Sequence, residues 1–188
     1  MTNRWSIRPH TEEDLRKRDE LAAELGLSPT LCLLLVQRGI ASAREVRKFF
    51  KPNLNDLHDP FLMPDMFKAV KRLNKALGNK EKILIYGDYD VDGTTAVSLV
   101  YKFLRPYSST IDFYIPDRYD EGYGVSYKSI DYAVENGISL IITLDCGIKA
   151  IDKVAYANER GIDFIICDHH MPDDELPAAV AVLDAKRT

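Results

Sequence analysis

The sequence is poor in the features that mark membrane, secreted or disordered chains. Its longest apolar run near the N-terminus, Leu31 to Val36, falls far short of the roughly 20 residues a membrane-spanning helix needs. Met1 to His10 is polar and carries two Arg, unlike a secretory leader, so a cytoplasmic location and no membrane partner are expected. Only three cysteines occur, Cys32, Cys146 and Cys167. Their odd count argues against a disulfide framework and their spacing against a structural zinc, which leaves small buried residues. No internal repeat or low-complexity tract is present, and 46% hydrophobic content is ordinary for a globular protein. A basic excess is also missing: 25 basic against 29 acidic residues give a net charge of −4. Taken alone, that argues against a nucleic-acid partner.

The acids are concentrated, however, and the densest stretch runs from Lys82 to Thr95. An apolar run, Ile83-Leu84-Ile85-Tyr86, leads into Asp88, Asp90 and Asp92 at alternate positions, followed by Gly93. Carboxylates this close repel one another unless a cation neutralises them, and the natural partners are hard, oxygen-preferring ions. An EF-hand calcium loop would need a bidentate Glu at its twelfth position, where Leu99 stands, and a helix before the loop. The preceding segment is instead a β-branched and aromatic run of strand length.

Along the chain, Thr11 to Asp14 opens a helical segment reaching about Leu25, with Gly26 as its stop. Ser28-Pro29-Thr30 caps a second helix, and Ser42 with Glu45 has capping-box spacing before a third. Pro52 to Pro64 reads as a wrapping segment, with Leu54, Leu57, Phe61 and Leu62 as anchors. Asp65 is expected to cap a helix in which Phe67, Val70, Leu73 and Leu77 recur at helical spacing up to Gly78. From residue 82 strands alternate with helices: strands at Ile83–Tyr86, Ile111–Ile115, Leu140–Leu144, Phe164–Cys167 and Val180–Leu183, helices near Thr94–Leu104, Ser126–Asn136 and Ile148–Arg160. Continuous apolar strands suit a sheet covered on both faces. The expectation is a small helical region over residues 1–64 and, over 65–188, an α/β domain with a mainly parallel sheet and helices on both faces.

Acidic or imidazole groups follow three of these strands at their carboxyl ends: Asp88, Asp90 and Asp92, then Asp145, then Asp168-His169-His170. In open parallel sheets that edge binds ligands. An Asp after a strand is often only the cap of the next helix, and a lone His is often a hydrogen-bonded core residue. Independent caps have no reason to gather at one sheet edge, so the convergence carries the reading. Setting these five Asp aside leaves 25 basic against 24 acidic residues, so the negative balance is partly a metal site counted without its metal. A carboxylate-rich cluster with imidazoles suits Mn²⁺, or Mg²⁺ as substitute. Two such ions can share one Asp at about 3.5 to 4 Å, generate a hydroxide nucleophile and stabilise a phosphoryl group under in-line attack. The reaction class is phosphoester hydrolysis. In the loop Ile115 to Ser126, Gly122 and Gly124 permit tight turns and Arg118 is placed to offer its planar donor fork to a phosphate, the alternative being a solvent-facing Arg.

YGDYDVDGTTA at 86–96, DRYDEGYG at 117–124, LDCG at 144–147 and CDHH at 167–170, together with FFKPNLNDLHDPFLMPDM at 49–66, resemble the DHH phosphoesterase superfamily and within it the single-strand-specific exonucleases. The resemblance covers nearly the whole chain. It implies a Mn²⁺- or Mg²⁺-dependent nuclease, with two ions in the complete protein, that degrades single-stranded DNA from the 5′ end in recombination and repair. By position it implies Asp90, Asp92, Asp145 and His169 as metal ligands, Asp145 being the bridge. The resemblance further implies that Asp88 and Asp168 match positions whose role is ligation or support, that His170 would face the scissile phosphate, and that Arg118 is the candidate for gripping a substrate phosphate. The family's further metal-binding aspartate has no counterpart, since Asp184 follows the histidines too closely. The sequence thus resembles an N-terminal fragment, expected to bind metal incompletely and to show little activity alone. The alternatives are a DHH phosphodiesterase acting on short oligonucleotides or cyclic dinucleotides, and a metal-free DNA-binding scaffold.

Overall fold

The computed structural model describes residue 6 and residues 8–187. Residues 1–5, 7 and 188, at the ends of the two expected regions, lie outside the described residues. The chain divides into two compact units, Met1–His58 and Asp59–Thr188, so that Asp59 to Pro64 falls with the larger unit.

In the smaller unit three helices form where the capping residues stand. Helix α1 (Glu12–Leu25) opens on a Thr11–Asp14 capping box and closes on Gly26, at φ 66°. Helix α2 (Pro29–Val36) is capped by Ser28, and α3 (Ala43–Phe50) by a Ser42–Glu45 capping box. Leu21, Cys32, Leu35, Val36 and Val46 form their common core. Beyond α3 two 3₁₀ turns, Leu54–Asp56 and Pro60–Leu62, are held by the side chains of Asn53 and Asp59. The expected anchors here are not buried: Leu54, Leu57, Phe61 and Leu62 are all exposed. Polar side chains hold these turns locally, and Phe61 meets the Phe67 ring with centroids 4.6 Å apart while both stay exposed.

The larger unit is built on five parallel strands in the order β2-β1-β3-β4-β5. They are β1 (Lys82–Gly87), β2 (Ile111–Tyr114), β3 (Ile138–Leu144), β4 (Asp163–Cys167) and β5 (Ala181–Leu183). Because side chains alternate across a strand, Ile83 and Ile85 face one side and Leu84 and Tyr86 the other. The first pair packs with α4 (Met66–Gly78) and α5 (Val91–Leu104). The second packs with α6 (Tyr127–Glu135) and α7 (Ile151–Asn158). This is the α/β fold with helices on both faces read from the sequence, and the sheet is parallel throughout.

Two features of α4 differ from the sequence pattern. Phe67 and Val70 are exposed, while Ala69, Arg72 and Ala76 form its buried face, because small residues let the helix approach the sheet closely. Arg72 is accommodated by Asp163 at 2.5 Å and Glu81 at 2.7 Å. Asp65 occupies the position before α4 at φ 63° but makes no cap hydrogen bond. Its carboxylate instead binds Arg187 at 2.8 Å and Lys68 at 2.6 Å and accepts from the Val182 amide, tying α4 to β5. Burial pushes this carboxyl up, but the hydrogen bonds from Lys68, Arg187 and Val182 and the Arg187 charge outweigh it and bring the pKa down to about 2.

A carboxyl depressed on folding stabilises fully above its unfolded value of about 3.9, and that contribution is lost as pH falls through the folded value. Asp65→Asn, which tolerates the left-handed backbone, is therefore expected to flatten the fall in urea midpoint between about pH 4 and about pH 2. Parallel midpoint curves for the two proteins would exclude this role.

Candidate active site

The register of the sheet brings the acids into one row. Gly87 pairs with Leu144, Leu144 with Cys167 and Cys167 with Leu183. The next residue on each strand is an aspartate: Asp88, Asp145, Asp168 and Asp184. Neighbouring strands lie about 4.8 Å apart, so four carboxylates line the carboxyl edge at one level.

Each of the four is held differently. Asp145 sits at φ 63°, an uncommon conformation for a residue with a side chain, fixed by its amide donating to the Cys167 carbonyl at 2.9 Å. It caps nothing, since the residue before α7 is Ala150. Its Oδ1 lies 2.8 Å from His169 Nε2. Asp168 is buried, and both its oxygens are engaged. Oδ2 accepts the Ile148 amide at 3.0 Å, while Oδ1 accepts the His169 and His170 amides and His170 Nδ1 at 2.7 Å. Burial pushes the Asp168 carboxyl up, but these donors prevail and hold it below the ordinary range. An ionised Asp168 makes His170 Nδ1 the donor, which leaves Nε2 as the acceptor of the Tyr123 hydroxyl at 3.2 Å.

Asp88 is buried, receives the Gly124 amide on Oδ1 at 3.4 Å, and has an Oδ2 with no hydrogen-bond partner. Asp184 likewise has a buried, unpartnered Oδ2, while Oδ1 accepts the Lys186 amide at 2.6 Å. Lys186 then donates from Nζ to the His169 carbonyl.

Asp90 and Asp92 lie just beyond this row, and here the helix begins earlier than the Gly93 signal suggested. Helix α5 starts at Val91, with Asp90 as its cap accepting the Gly93 amide at 2.9 Å and Asp92 in its first turn. Both Asp90 and Asp92 are exposed. Gly93 makes the early start possible by lying against the Asp88 backbone, where a Cβ would come within 2.6 Å of the Asp88 nitrogen.

Four of these groups share one opening, which Asp88, Asp90, His170 and Asp184 do not line. A depression of about 610 Å³ is lined by Asp92, Asp145, Asp168 and His169 together with Met63, Met66 and Leu183. Asp145, His169 and His170 each offer a ligand atom, all within 4.8 Å of one another. The Asp145 carboxyl is pushed above the ordinary range by burial and then by the charge of Asp90. Cys167 also lines the depression, but burial and the Asp168 charge drive its thiol up to about 12, so it offers no thiolate at neutral pH. The donor set is oxygen and imidazole, with two orphaned buried carboxylate oxygens in the row, and it fits a hard divalent cation.

The loop from Asp117 to Gly124 reaches the acids through the Gly124 amide on Asp88 and the Tyr123 hydroxyl on His170. Gly122 and Gly124 both adopt φ 79°, the left-handed turns the sequence pattern implied. Glu121 organises its interior, accepting the Asp117 amide at 2.9 Å, the Tyr114 hydroxyl at 3.1 Å and the Ser126 hydroxyl at 2.5 Å. Tyr86 donates its hydroxyl to the Gly124 carbonyl at 2.7 Å, so the core strand itself holds the loop down. Arg118 is exposed, with its guanidinium carbon 4.3 Å from the centre of the Tyr89 ring. Burial, and then the charges of Asp88, Asp168 and Asp145, raise the Tyr123 hydroxyl to about 12, which keeps it a donor. Sequence reasoning passed over Tyr89, Tyr123 and Glu121, although Gly-Tyr-Gly marked the loop that holds two of them.

Fold and site define a class: an α/β protein with a carboxylate and imidazole centre at the carboxyl edge of a parallel sheet. More narrowly, the chain belongs to the DHH family, whose N-terminal domain model matches residues 82–188. It is 42% identical over 184 residues to the single-stranded-DNA-specific exonuclease RecJ of Bacillus subtilis (strain 168), covering 98% of this chain and 23% of that protein. With the RecJ of Escherichia coli (strain K12) it shares 37% identity over 177 residues, 90% of this chain and 30% of that one. The chain therefore spans less than a third of the length of these relatives. Among solved structures, an exonuclease RecJ bound to manganese is 29% identical with a TM-score of 0.62, over 68% of this chain and 33% of that one. RecJ from Thermus thermophilus in complex with Mn²⁺ matches over 96% of this chain and 24% of that one, at a TM-score of 0.66 and 24% identity, which shows the shared fold.

Proposed function

We propose that the chain carries metal ligands of a nuclease that hydrolyses phosphodiesters of single-stranded DNA from the 5′ end, in recombination and repair. The observation that carries this reading is the meeting of Asp145 and His169, from the ends of two strands, at 2.8 Å in a depression also lined by Asp92. Polarity and strand preference are carried from the resemblance to the RecJ exonucleases. Mn²⁺, or Mg²⁺ in its place, is the proposed cofactor, with Asp90, Asp92, Asp145 and His169 as its ligands and two ions as the complete complement. When bound it would supply positive charge against a phosphoryl group and a water of lowered pKa.

The remaining steps belong to the protein. Asp168 fixes the His170 ring and its tautomer, so that Nε2 is presented toward the scissile phosphate as an acceptor or, once protonated, a donor. Asp88 supports the row from beneath, and Arg118 offers its donor fork to a phosphate of the strand.

The test presents the natural full-length protein, with Mn²⁺, with 5′-overhang, 3′-overhang and blunt duplexes alongside a dinucleotide. The expected outcome is release of mononucleotides from single-stranded 5′ ends. Preference for the dinucleotide would replace this reading with that of a small-nucleotide phosphodiesterase.

A further inference from the structure

Arg118 stands on an exposed loop, where an arginine side chain would ordinarily sample many rotamers, at an entropic cost to fix. Here it lies over the ring of Tyr89, 4.3 Å from the ring centre. That ring meets Tyr123 edge to face, with centroids 6.4 Å apart and planes at 84°. Tyr123 in turn meets His170 at 6.1 Å and 84°, with its hydroxyl on Nε2. The contacts form an unbroken line from the guanidinium to the imidazole. Tyr89 itself sits between Asp88 and Asp90, so it is fixed by the same backbone that carries the acids.

We propose that Tyr89 is a positioning residue that pre-orients Arg118, and that its aromatic face sets where a phosphate of the substrate strand is held relative to His170. The inference rests on the reading of Arg118 as a phosphate grip. The guanidinium carbon lies over the ring at 4.3 Å, a contact made through the π face that does not use the N–H donors a phosphate would take. The Tyr89 hydroxyl takes no part, so a plain ring serves equally.

The test compares Tyr89→Leu and Tyr89→Phe in the natural full-length protein. A 5′-phosphorylated oligothymidylate serves as probe, first in EDTA for binding and then with Mn²⁺ for turnover. Tyr89→Leu is expected to weaken binding and raise KM by about fivefold to tenfold with kcat little changed, and Tyr89→Phe to restore both. In an Arg118→Ala background Tyr89→Leu should have no further effect. In the absence of nucleic acid, the Arg118 Nε–H resonance should show a ring-current shift that Tyr89→Leu abolishes and Tyr89→Phe keeps. Loss of binding in Tyr89→Leu that persists in the Arg118→Ala background would overturn the proposal, as would unchanged binding. If wild type binds no oligonucleotide while the ring-current shift is present, the nuclease reading fails and the stacking itself stands.

Discussion

On the proposed function, Asp145→Asn in the natural full-length protein is expected to lower Mn²⁺-dependent hydrolysis of single-stranded DNA by on the order of a thousandfold or more, and to weaken Mn²⁺ binding measured by calorimetry. Asn is the informative replacement because it tolerates the left-handed backbone that Asp145 adopts at φ 63° and keeps the side chain's shape. What it removes is charge. Asp145 holds that charge against burial and against Asp90, and His169 at 2.8 Å offsets only part of this. Without metal, the variant should melt at or above the temperature of the parent, since it is relieved of repulsion. On the proposed metal site, the charge that lowers apo stability is the one that would hold the cation. An active variant, or one inactive only because it melts far earlier, would remove Asp145 from the centre of the mechanism.

The strand-end acids were legible in the sequence because parallel strands buried on both faces leave largely apolar signatures, Leu140 to Leu144 and Phe164 to Cys167, each followed at once by an aspartate. Only the register shows that Asp88, Asp145, Asp168 and Asp184 stand at one level, and register is a property of strand pairs. Asp184 follows Asp168 by 16 residues, and pairing of β5 with β4 brings it into the row. Asp65 reads as a helix cap because its sequence neighbours are helical; its partner Arg187 lies 122 residues away. The stacking of Arg118 on Tyr89 joins two loops, and no local pattern encodes it. Local chemistry announced the elements, whereas contacts between distant segments decided what several polar side chains do.

Gly93 gives the second large effect, and its sign separates two physical accounts. It lies inside the first turn of α5, where helix propensity alone makes Gly93→Ala stabilising by about 1 kcal/mol. Packing points the other way. A Cβ at this position would sit 2.6 Å from the Asp88 nitrogen and 2.8 Å from its carbonyl carbon, and neither can rotate away as a side-chain tip would. Gly87, opposite, is equally confined, its own Cβ position lying 2.8 Å from the Gly93 carbonyl oxygen. Relief therefore requires the start of α5 to move off the end of β1. The expected result for Gly93→Ala is a loss on the order of 3 kcal/mol, a melting temperature lower by roughly 5–10 °C, and weaker Mn²⁺ binding because Asp90 and Asp92 move with the turn. Gly78→Ala supplies the contrast: Gly78 is the last residue of α4, with nothing within 4 Å of a Cβ, and should gain a few tenths of a kcal/mol. Thermal melts of the two variants side by side decide the matter. If Gly93→Ala melts with or above the parent, the close approach of the first helical turn to the Asp88 backbone does not hold the acidic loop in place.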